Sequence, residues 1–168
     1  MAILHRATIR PTKPEVLSTL LGAPVDILAA YRLDDPAGEV GIEGFLLQVD
    51  DDVRHVVLTY RGAPLEGVEP LATMEHSVLG TRWIHRGDDD PVALACVAAL
   101  LAGEQQQAAE EIWDGDVLVQ TREPVVRLEV VDGAPAGEPR ILDRLAPDAE
   151  GRHVRATWAD GAGVVAIG

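Results

Sequence analysis

Three consecutive segments rich in branched apolar residues restrict this chain to folds built on an antiparallel sheet. They span residues 25–33, 40–49 and 53–60. Turn-forming residues at 34–38 separate the first two, and only three aspartates at 50–52 separate the last two. Parallel pairing needs a crossover of a dozen residues or more, and neither connection is that long. The sequence therefore predicts an antiparallel meander.

Helix signals flank the meander on both sides. Thr12 and Glu15 form a capping-box pattern, and Gly22 follows where the apolar stripe stops, which predicts a helix from 12 to 22. A second helix is predicted over 91–102, with a possible extension to residue 113, because three aspartates precede Pro91. This second helix is apolar on all sides, so we expect it in the core or against a partner.

The remaining strands are short. We expect a first strand over 3–9 and a strand over 78–86 with a bulge or close backbone approach at Gly80. The segment 70–77 is ambiguous, and a short helical turn is one possible form for it. The segments 133–139 and 146–151 look like hairpin connections. After residue 114, alternating apolar residues with Gly and Pro between them predict strands at 117–121, 125–131, 140–145, 153–158 and 164–167.

These elements indicate an α+β fold, with a curved antiparallel sheet packed on one or two helices and extra short C-terminal strands. The 168 residues, of which 47% are hydrophobic, suffice for a core. Residues 1–113 form the predicted main domain. Residues 114–168 form a β-rich extension that we expect to belong to the same globular unit.

Charge and cysteine usage restrict the environment. A formal net charge of −14 repels nucleic-acid phosphates and anionic lipids, so neither nucleic acid nor membrane is an expected partner. Cys96 is the only cysteine, which is typical of a reducing compartment. The N-terminus lacks a secretory pattern, and the longest apolar run, 91–102, is too short to span a bilayer. We therefore expect a cytoplasmic protein.

Catalytic signatures are missing from the sequence. There is no phosphate-binding glycine loop, and a kinase-type catalytic loop cannot be formed because the chain has no asparagine. Ser18 and Ser77 lie outside any nucleophile motif, and Cys96 lies in the apolar helix, where its thiol should be inert. Acid–base chemistry by Glu43, Glu75 and His76 is the weakest hypothesis. We predict no catalytic residues and no cofactor.

Metal binding is also not expected. The acidic triplets at 50–52 and 88–90 lack the ligand spacing of a calcium loop, and a turn and a helix cap explain them. Glu75, His76 and His85 do not follow a zinc spacing, and hydrogen-bonded histidines at strand ends explain the last two.

One polar and aromatic cluster could form a recognition surface. Alternation along the strand 78–86 places Arg82 and Arg86 on one face, and Trp83 and His85 on the other. Trp83 is expected in the core rather than at an interface, because the chain has few aromatics. The predicted ligand or partner surface consists of Tyr60, Arg61, His76, Arg82, Trp83, His85 and Arg86.

Several ordered blocks resemble the maltokinase N-terminal cap-like family of actinobacteria. They are HRATIRPTKPEVL (5–17), YRLDDPAGEVGIE (31–43), LTYRGAPLEG (58–67) and EHSVLGTRWIHRGDDDPV (75–92), and the resemblance covers roughly residues 2–113. It implies a curved antiparallel sheet with a helix, of cystatin-like topology, that accompanies a sugar-kinase domain and carries none of its chemistry. No kinase segment is recognised in this sequence, and the resemblance does not extend to the residues after 114.

Two functions remain after this reasoning. The first is a non-catalytic accessory protein that binds or regulates a sugar kinase or an enzyme of α-glucan or trehalose metabolism in trans. The alternative is a carrier or sensor that holds a sugar or lipid in the concave sheet face, lined by Tyr60, Trp83 and His85. A homodimer is plausible under either hypothesis, because exposed sheet edges tend to be covered.

Overall fold

The chain folds into an α+β arrangement with two helices against a large, curved, antiparallel sheet, as the sequence predicts. A computed structural model describes residues 2–5, 8–114, 117–134 and 137–168. The helices are α1 (Lys13–Leu21) and α2 (Pro91–Ala102). The strands are β1 (Ala2–His5), β2 (Ile9–Arg10), β3 (Asp26–Asp34), β4 (Gly41–Val49), β5 (Asp52–Arg61), β6 (Ala72–His76), β7 (Gly80–Arg86), β8 (Glu110–Asp114), β9 (Val117–Arg122), β10 (Val126–Val131), β11 (Arg140–Ala146), β12 (His153–Trp158) and β13 (Gly161–Ile167).

The predicted meander is confirmed, and its third strand is where the large sheet branches. β3, β4 and β5 pair consecutively and antiparallel. The other edge of β5 pairs with β11 at Arg54 and with β7 from Leu58 to Arg61. The strand order of the large sheet is β10-β12-β13-β11-β5-β7-β6-β2, with β4 and β3 attached to β5. Gly87 lies at the branch, where an added Cβ would come within 2.6 Å of the Val57 side chain.

Both helices begin and end where the sequence predicts. The Thr12 N–H donates to Glu15 Oε2 at 2.7 Å in the capping box of α1, and Gly22 ends the helix with φ of 68°. The Asp90 carboxylate accepts the Val92 N–H at 2.9 Å at the start of α2. Gly103 then ends α2 in the left-handed conformation, so the possible extension toward residue 113 does not form.

Two buried clusters lie on opposite faces of the meander. On one face, α1 contributes Val16 and Leu17, which pack with side chains of β4 to β7. The other face is buried by α2 together with strands from the C-terminal part of the chain, including Val126, Val154 and Val165. The all-apolar helix is therefore a core helix, which is one of the two alternatives that its composition allowed.

Several local predictions are wrong. Residues 6 and 7 of the predicted strand 3–9 lie outside the described residues, and the parts on either side belong to different sheets, because β1 pairs with β8 and β2 with β6. The possible helical turn within 70–77 does not form, and β6 lies there. Gly80 meets no close neighbour; its φ of 73° serves the β6–β7 turn.

The C-terminal strands form where the sequence predicts but are joined differently. β10 pairs with β12, and β11 pairs with β13, so neither the 133–139 connection nor the 146–151 connection closes a hairpin. Residues 135 and 136 of the first connection lie outside the described residues. The hairpin among these C-terminal strands is instead formed by β12 and β13. Turn-forming residues therefore marked the ends of strands correctly, but not which strands are neighbours.

A separate sheet has the order β1-β8-β9. β1 and β8 are parallel, with Ala2 beside Glu110, and β8 and β9 form an antiparallel hairpin. The ladder between β8 and β9 shifts register so that Val119 has no opposite residue in β8. β9 is the outer strand of this sheet.

Candidate functional site

The seven predicted surface residues are divided between the two faces of the large sheet. Arg61 lies opposite Trp83 in the ladder between β5 and β7, whereas Tyr60 lies opposite Ile84. Since directly paired residues share a face, Arg61, Trp83 and His85 are on the side of α2, and Tyr60 is on the side of α1. The residues therefore do not form one continuous surface.

The group around Arg61 fastens the start of α2 to the sheet. Arg61 Nε donates to Asp90 Oδ2 at 2.7 Å, and Nη2 donates to Oδ1 at 2.6 Å. The Asp90 side chain is fully buried. Its burial acts to raise the pKa, but the hydrogen bonds and charge of Arg61 outweigh this, so the pKa of Asp90 is lowered. Asp90 therefore stays ionised as a helix cap and a partner of Arg61.

His85 is buried beside this pair. Its Nε2 accepts the Leu65 N–H at 3.3 Å, which ties the loop after β5 to the sheet, and its Nδ1 has no hydrogen-bond partner within the described residues. Burial lowers the pKa of His85, and Arg61 acts in the same direction while Asp90 opposes it. A neutral, buried His85 supports the loop rather than a bound ligand.

Tyr60 belongs to a second group, centred on Glu43. The Glu43 carboxylate accepts from Lys13 Nζ at 2.8 Å and from the Tyr60 hydroxyl at 3.2 Å, and Arg32 Nη2 lies 3.3 Å from it. Lys13 also lies 5.8 Å from the centre of the Phe45 ring. Burial, together with the charge of Glu43, raises the pKa of Tyr60 well above its usual value. These bonds fasten the first turn of α1 to the sheet.

The other predicted surface residues also have contacts within the fold. Arg86 Nη2 donates to Asp88 at 3.0 Å and to Asp143 at 2.7 Å, which joins β7 to β11. The His76 ring accepts the Val78 and Leu79 N–H groups and shapes the turn between β6 and β7.

Arg82 and Trp83 are half-exposed, as are all the other members of the predicted set except the buried His85. Both have intermediate exposure, and Trp83 belongs to neither buried cluster, so its expected place in the core is wrong. Arg82 Nε is buried without a hydrogen-bond partner among the described residues. Because the other members are held in hydrogen bonds or ion pairs, or are buried, these two residues of β7 are the best placed to contact another molecule, each on its own face of the sheet.

The strand order argues against the hypothesis of acid–base chemistry by Glu43, Glu75 and His76. Glu43 is on β4 and Glu75 on β6, with β5 and β7 between them, which corresponds to about 14 Å at the usual strand spacing. Glu75 accepts from the Thr81 hydroxyl at 2.8 Å. The two carboxylates therefore belong to separate networks.

The concave ligand surface proposed for Tyr60, Trp83 and His85 is not formed. Tyr60 is on the opposite face from the other two, and the two faces of the meander are occupied by α1 and α2. An apolar groove of about 360 Å³ lies elsewhere, between α1 and β6. It is lined by Pro11, Glu15, Val16, Thr19, Leu20, Leu71 and Ala72.

Other reactive side chains have local structural roles. Cys96 is buried, and its Sγ donates to the Asp34 carbonyl at 3.4 Å; burial raises the pKa of its thiol. The triplet at 50–52 lies at the turn between β4 and β5, with Asp50 at φ of 50°. Within the described residues, no three His, Cys, Asp or Glu side chains are grouped to hold a metal, and no helix is long and apolar enough to cross a bilayer.

Sequence reasoning underestimated Glu43 and missed Gln107. Glu43 lies among apolar residues of β4, and a lone carboxylate in such a strand signals a buried partner. Gln107 Nε2 donates to the Val126 carbonyl at 2.7 Å, while its Oε1 accepts the Leu128 N–H at 2.6 Å. Nothing in the local sequence distinguishes Gln107 from the two glutamines before it.

Comparison with known proteins gives one match. The family model of the maltokinase N-terminal cap domain matches residues 21–90, which is less than half of the chain and shorter than the 2–113 expected from the resemblance. No curated protein and no solved structure matches the chain. The matched residues include the whole of β3 to β7 and end at the cap of α2. This segment is therefore similar to the maltokinase N-terminal cap domain, and the predicted resemblance is confirmed over residues 21–90.

Proposed function

We propose that the protein is a non-catalytic accessory protein that binds and regulates an enzyme in trans. The partner would be a sugar kinase or an enzyme of α-glucan or trehalose metabolism, and the two would meet in the cytoplasm. The observation that carries the proposal is the cap-domain match over residues 21–90. A cap domain is an accessory to a kinase, so association with such an enzyme is the role it suggests for this chain.

The contacts of the predicted surface residues indicate where the partner would dock. Tyr60, Arg61 and Arg86 are held in ion pairs or hydrogen bonds, and His85 is buried. Partner contact therefore falls to Trp83 on one face of β7 or to Arg82 on the other, since tryptophan and arginine are the residues that most often dominate binding energy.

The experiment is quantitative affinity capture from cells of the source organism, with the full chain as bait. We expect recovery of a sugar kinase or α-glucan enzyme in about equal amount to the bait, and loss of most of it with Arg82→Ala/Trp83→Ala. Arg127→Ala is the control, since it removes an exposed arginine outside the matched segment. Recovery of the bait alone at low salt would contradict the proposal.

The groove beside α1 supports a second candidate, a carrier or sensor of a small apolar molecule. Its volume of about 360 Å³ lies within the range of ligand sites. A titration with maltose, ATP and decanoate, followed by ¹H–¹⁵N NMR, should shift Leu20 and Leu71 with decanoate. Leu20→Trp should fill the groove and abolish the shifts; unchanged spectra with all three compounds would exclude this function for them.

A further inference from the structure

The outer strand β9 carries an apolar patch that the fold leaves uncovered. All six of its residues are exposed. The exposed fractions of Val117, Leu118 and Val119, which we call the β9 patch, are 65%, 44% and 46%. Among the described residues, this is the longest run of consecutive exposed large apolar side chains. The other two runs are the pairs at 27–28 and 78–79. Successive side chains of a strand alternate between its two faces, so these three line both faces of β9 along its free edge. Exposed apolar side chains of this kind mark interaction surfaces.

The patch is also separate from the core of the molecule. It lies in the sheet β1-β8-β9, which is distinct from the large sheet, and on the strand farthest from β1. It also lies outside residues 21–90, so it is not a feature of the matched cap segment. No folding role among the described residues accounts for three neighbouring apolar side chains in water.

The charged residues that neighbour the β9 patch in the sequence indicate the chemistry of what can cover it. Residues 110–123 contain five carboxylates and one arginine, whereas the patch itself is uncharged. The carboxylates belong to Glu110, Glu111, Asp114, Asp116 and Glu123, and the arginine is Arg122. An apolar centre within an acidic sequence is complementary to an apolar surface bordered by Lys and Arg.

The same charges argue against other occupants. A second copy would bring the same acidic sequence and a further net charge of −14 to the interface, and like charges brought together across an interface cost affinity. An anionic membrane surface is repelled for the same reason.

We propose that the β9 patch is a docking surface for a protein that presents apolar side chains flanked by basic residues. This inference rests on the proposed accessory function and adds a second contact, which lies outside the cap segment. Electrostatic attraction would guide the encounter, and burial of the three apolar side chains would slow dissociation.

The first test uses probes of known chemistry on the full chain. The probes are two labelled 14-residue amphipathic helical peptides, one of Leu and Lys and the other of Leu and Glu. By fluorescence anisotropy at 50 mM salt, we expect the Leu/Lys peptide to bind at least ten-fold more tightly. Val117→Thr/Leu118→Thr/Val119→Thr, which keeps strand-forming residues, should weaken that binding ten-fold. Val78→Thr/Leu79→Thr, at the other exposed apolar turn, is the matched control.

Three results would overturn the inference. One is equal binding of the Leu/Lys peptide by the triple variant and the control variant, which would indicate non-specific attraction to the acidic protein. Another is concentration-dependent dimerisation in sedimentation that the triple variant loses, since the occupant would then be a second copy. The third is co-sedimentation with phosphatidylcholine and phosphatidylglycerol vesicles that the triple variant loses.

Affinity capture with the triple variant separates this inference from the proposed function. Recovery of the enzyme partner by the wild type but not by the variant would support both. Undiminished recovery by the variant would contradict the β9 surface and leave the accessory function intact. Recovery of no enzyme by the wild type, with localised peptide binding, would contradict the accessory function alone.

Discussion

His55 shows how strongly a single residue can depend on partners that are distant in sequence. Its ring is buried between β5 and β11, with Nδ1 2.8 Å from the Leu142 carbonyl and Nε2 2.9 Å from the Tyr31 hydroxyl. This position could not be predicted from the sequence, because Leu142 is 87 residues away from His55. The partnership of Tyr60 with Glu43 likewise depends on how the strands pair.

Acid should destabilise the protein through His55. Burial lowers the pKa of His55 from 6.5 to about 4, so only the unfolded chain binds a proton between these values. The contribution of the neutral His55 ring to the free energy of unfolding is fully present above pH 6.5. It is lost as the pH falls toward 4, by about 3 kcal/mol at most. Urea unfolding at pH 7.5, 5.5 and 4.5 measures this loss. The His55→Gln variant should show a shallower dependence on pH, and identical slopes would rule out this assignment.

A methyl group at Gly44 should disrupt the same region. A Cβ at this position would overlap Cζ of Tyr31, so the ring would have to move and its bond to His55 would break. We expect Gly44→Ala to lower the free energy of unfolding by about 3 kcal/mol. Gly62→Ala is the control, because the atom that it would meet, at 3.0 Å, is the flexible end of Arg82. Thermal unfolding of both variants measures the two changes in stability.

At the scale of elements, the ends of helices and strands were easier to predict than their neighbours. Thr12, Gly22 and Asp90 each specify a helix end through local hydrogen bonds or a left-handed conformation, and all three were recognised. The segment 104–109 was not, because its role depends on distant partners: the Ala108 N–H donates to the Arg32 carbonyl. Strand neighbours beyond the meander were missed for the same reason.

Gln107 should contribute to stability more than its neighbour does. Its amide bonds to both Val126 and Leu128 of β10, and its loss would leave a donor and an acceptor of that strand unpaired. We expect Gln107→Ala to cost about 2 kcal/mol. Gln106→Ala, at an exposed position, should cost less than about 0.5 kcal/mol. Chemical denaturation measures both, and equal losses would show that the amide bonds are not important.

The two helix caps should differ in strength. Asp90→Ala removes the cap of α2 and leaves Arg61, whose side chain is 19% exposed, without its partner, so we expect a loss of about 3 kcal/mol. Thr12→Ala at the exposed cap of α1 should cost about 1 kcal/mol. If adding Arg61→Met to the Asp90→Ala variant restores stability, the part of the loss that exceeds the cost of a helix cap comes from the unpaired charge of Arg61. No recovery would assign the whole loss to the cap.

At the scale of the molecule, the proposed boundary at residue 113 remains a prediction. The cluster under α2 combines Tyr31 and Ile42 with Val154 and Val165, which favours one folded unit. The net charge of −14 acts on this unit as a whole, because the carboxylates repel one another.

Added salt should therefore stabilise the protein. Screening of the excess negative charge should raise the melting temperature by a few degrees between 10 and 300 mM sodium chloride. Differential scanning calorimetry measures the shift. A fall in melting temperature would mean that ion pairs such as Arg86 with Asp143, at 2.7 Å, outweigh the general repulsion.

The branch at β5 has a consequence for how such a segment can be shared among proteins. One face of its meander is buried by α1, whereas the other is buried by residues that follow the matched segment, from Ala93 to Ala166. The matched segment is therefore a sheet, one face of which is buried by side chains from the sequence that follows it. In a relative with a different continuation, Ile42, Leu46 and Val57 would mark the positions where that continuation must supply its own apolar side chains. The residues that bury this face can differ between relatives while the sheet itself is retained.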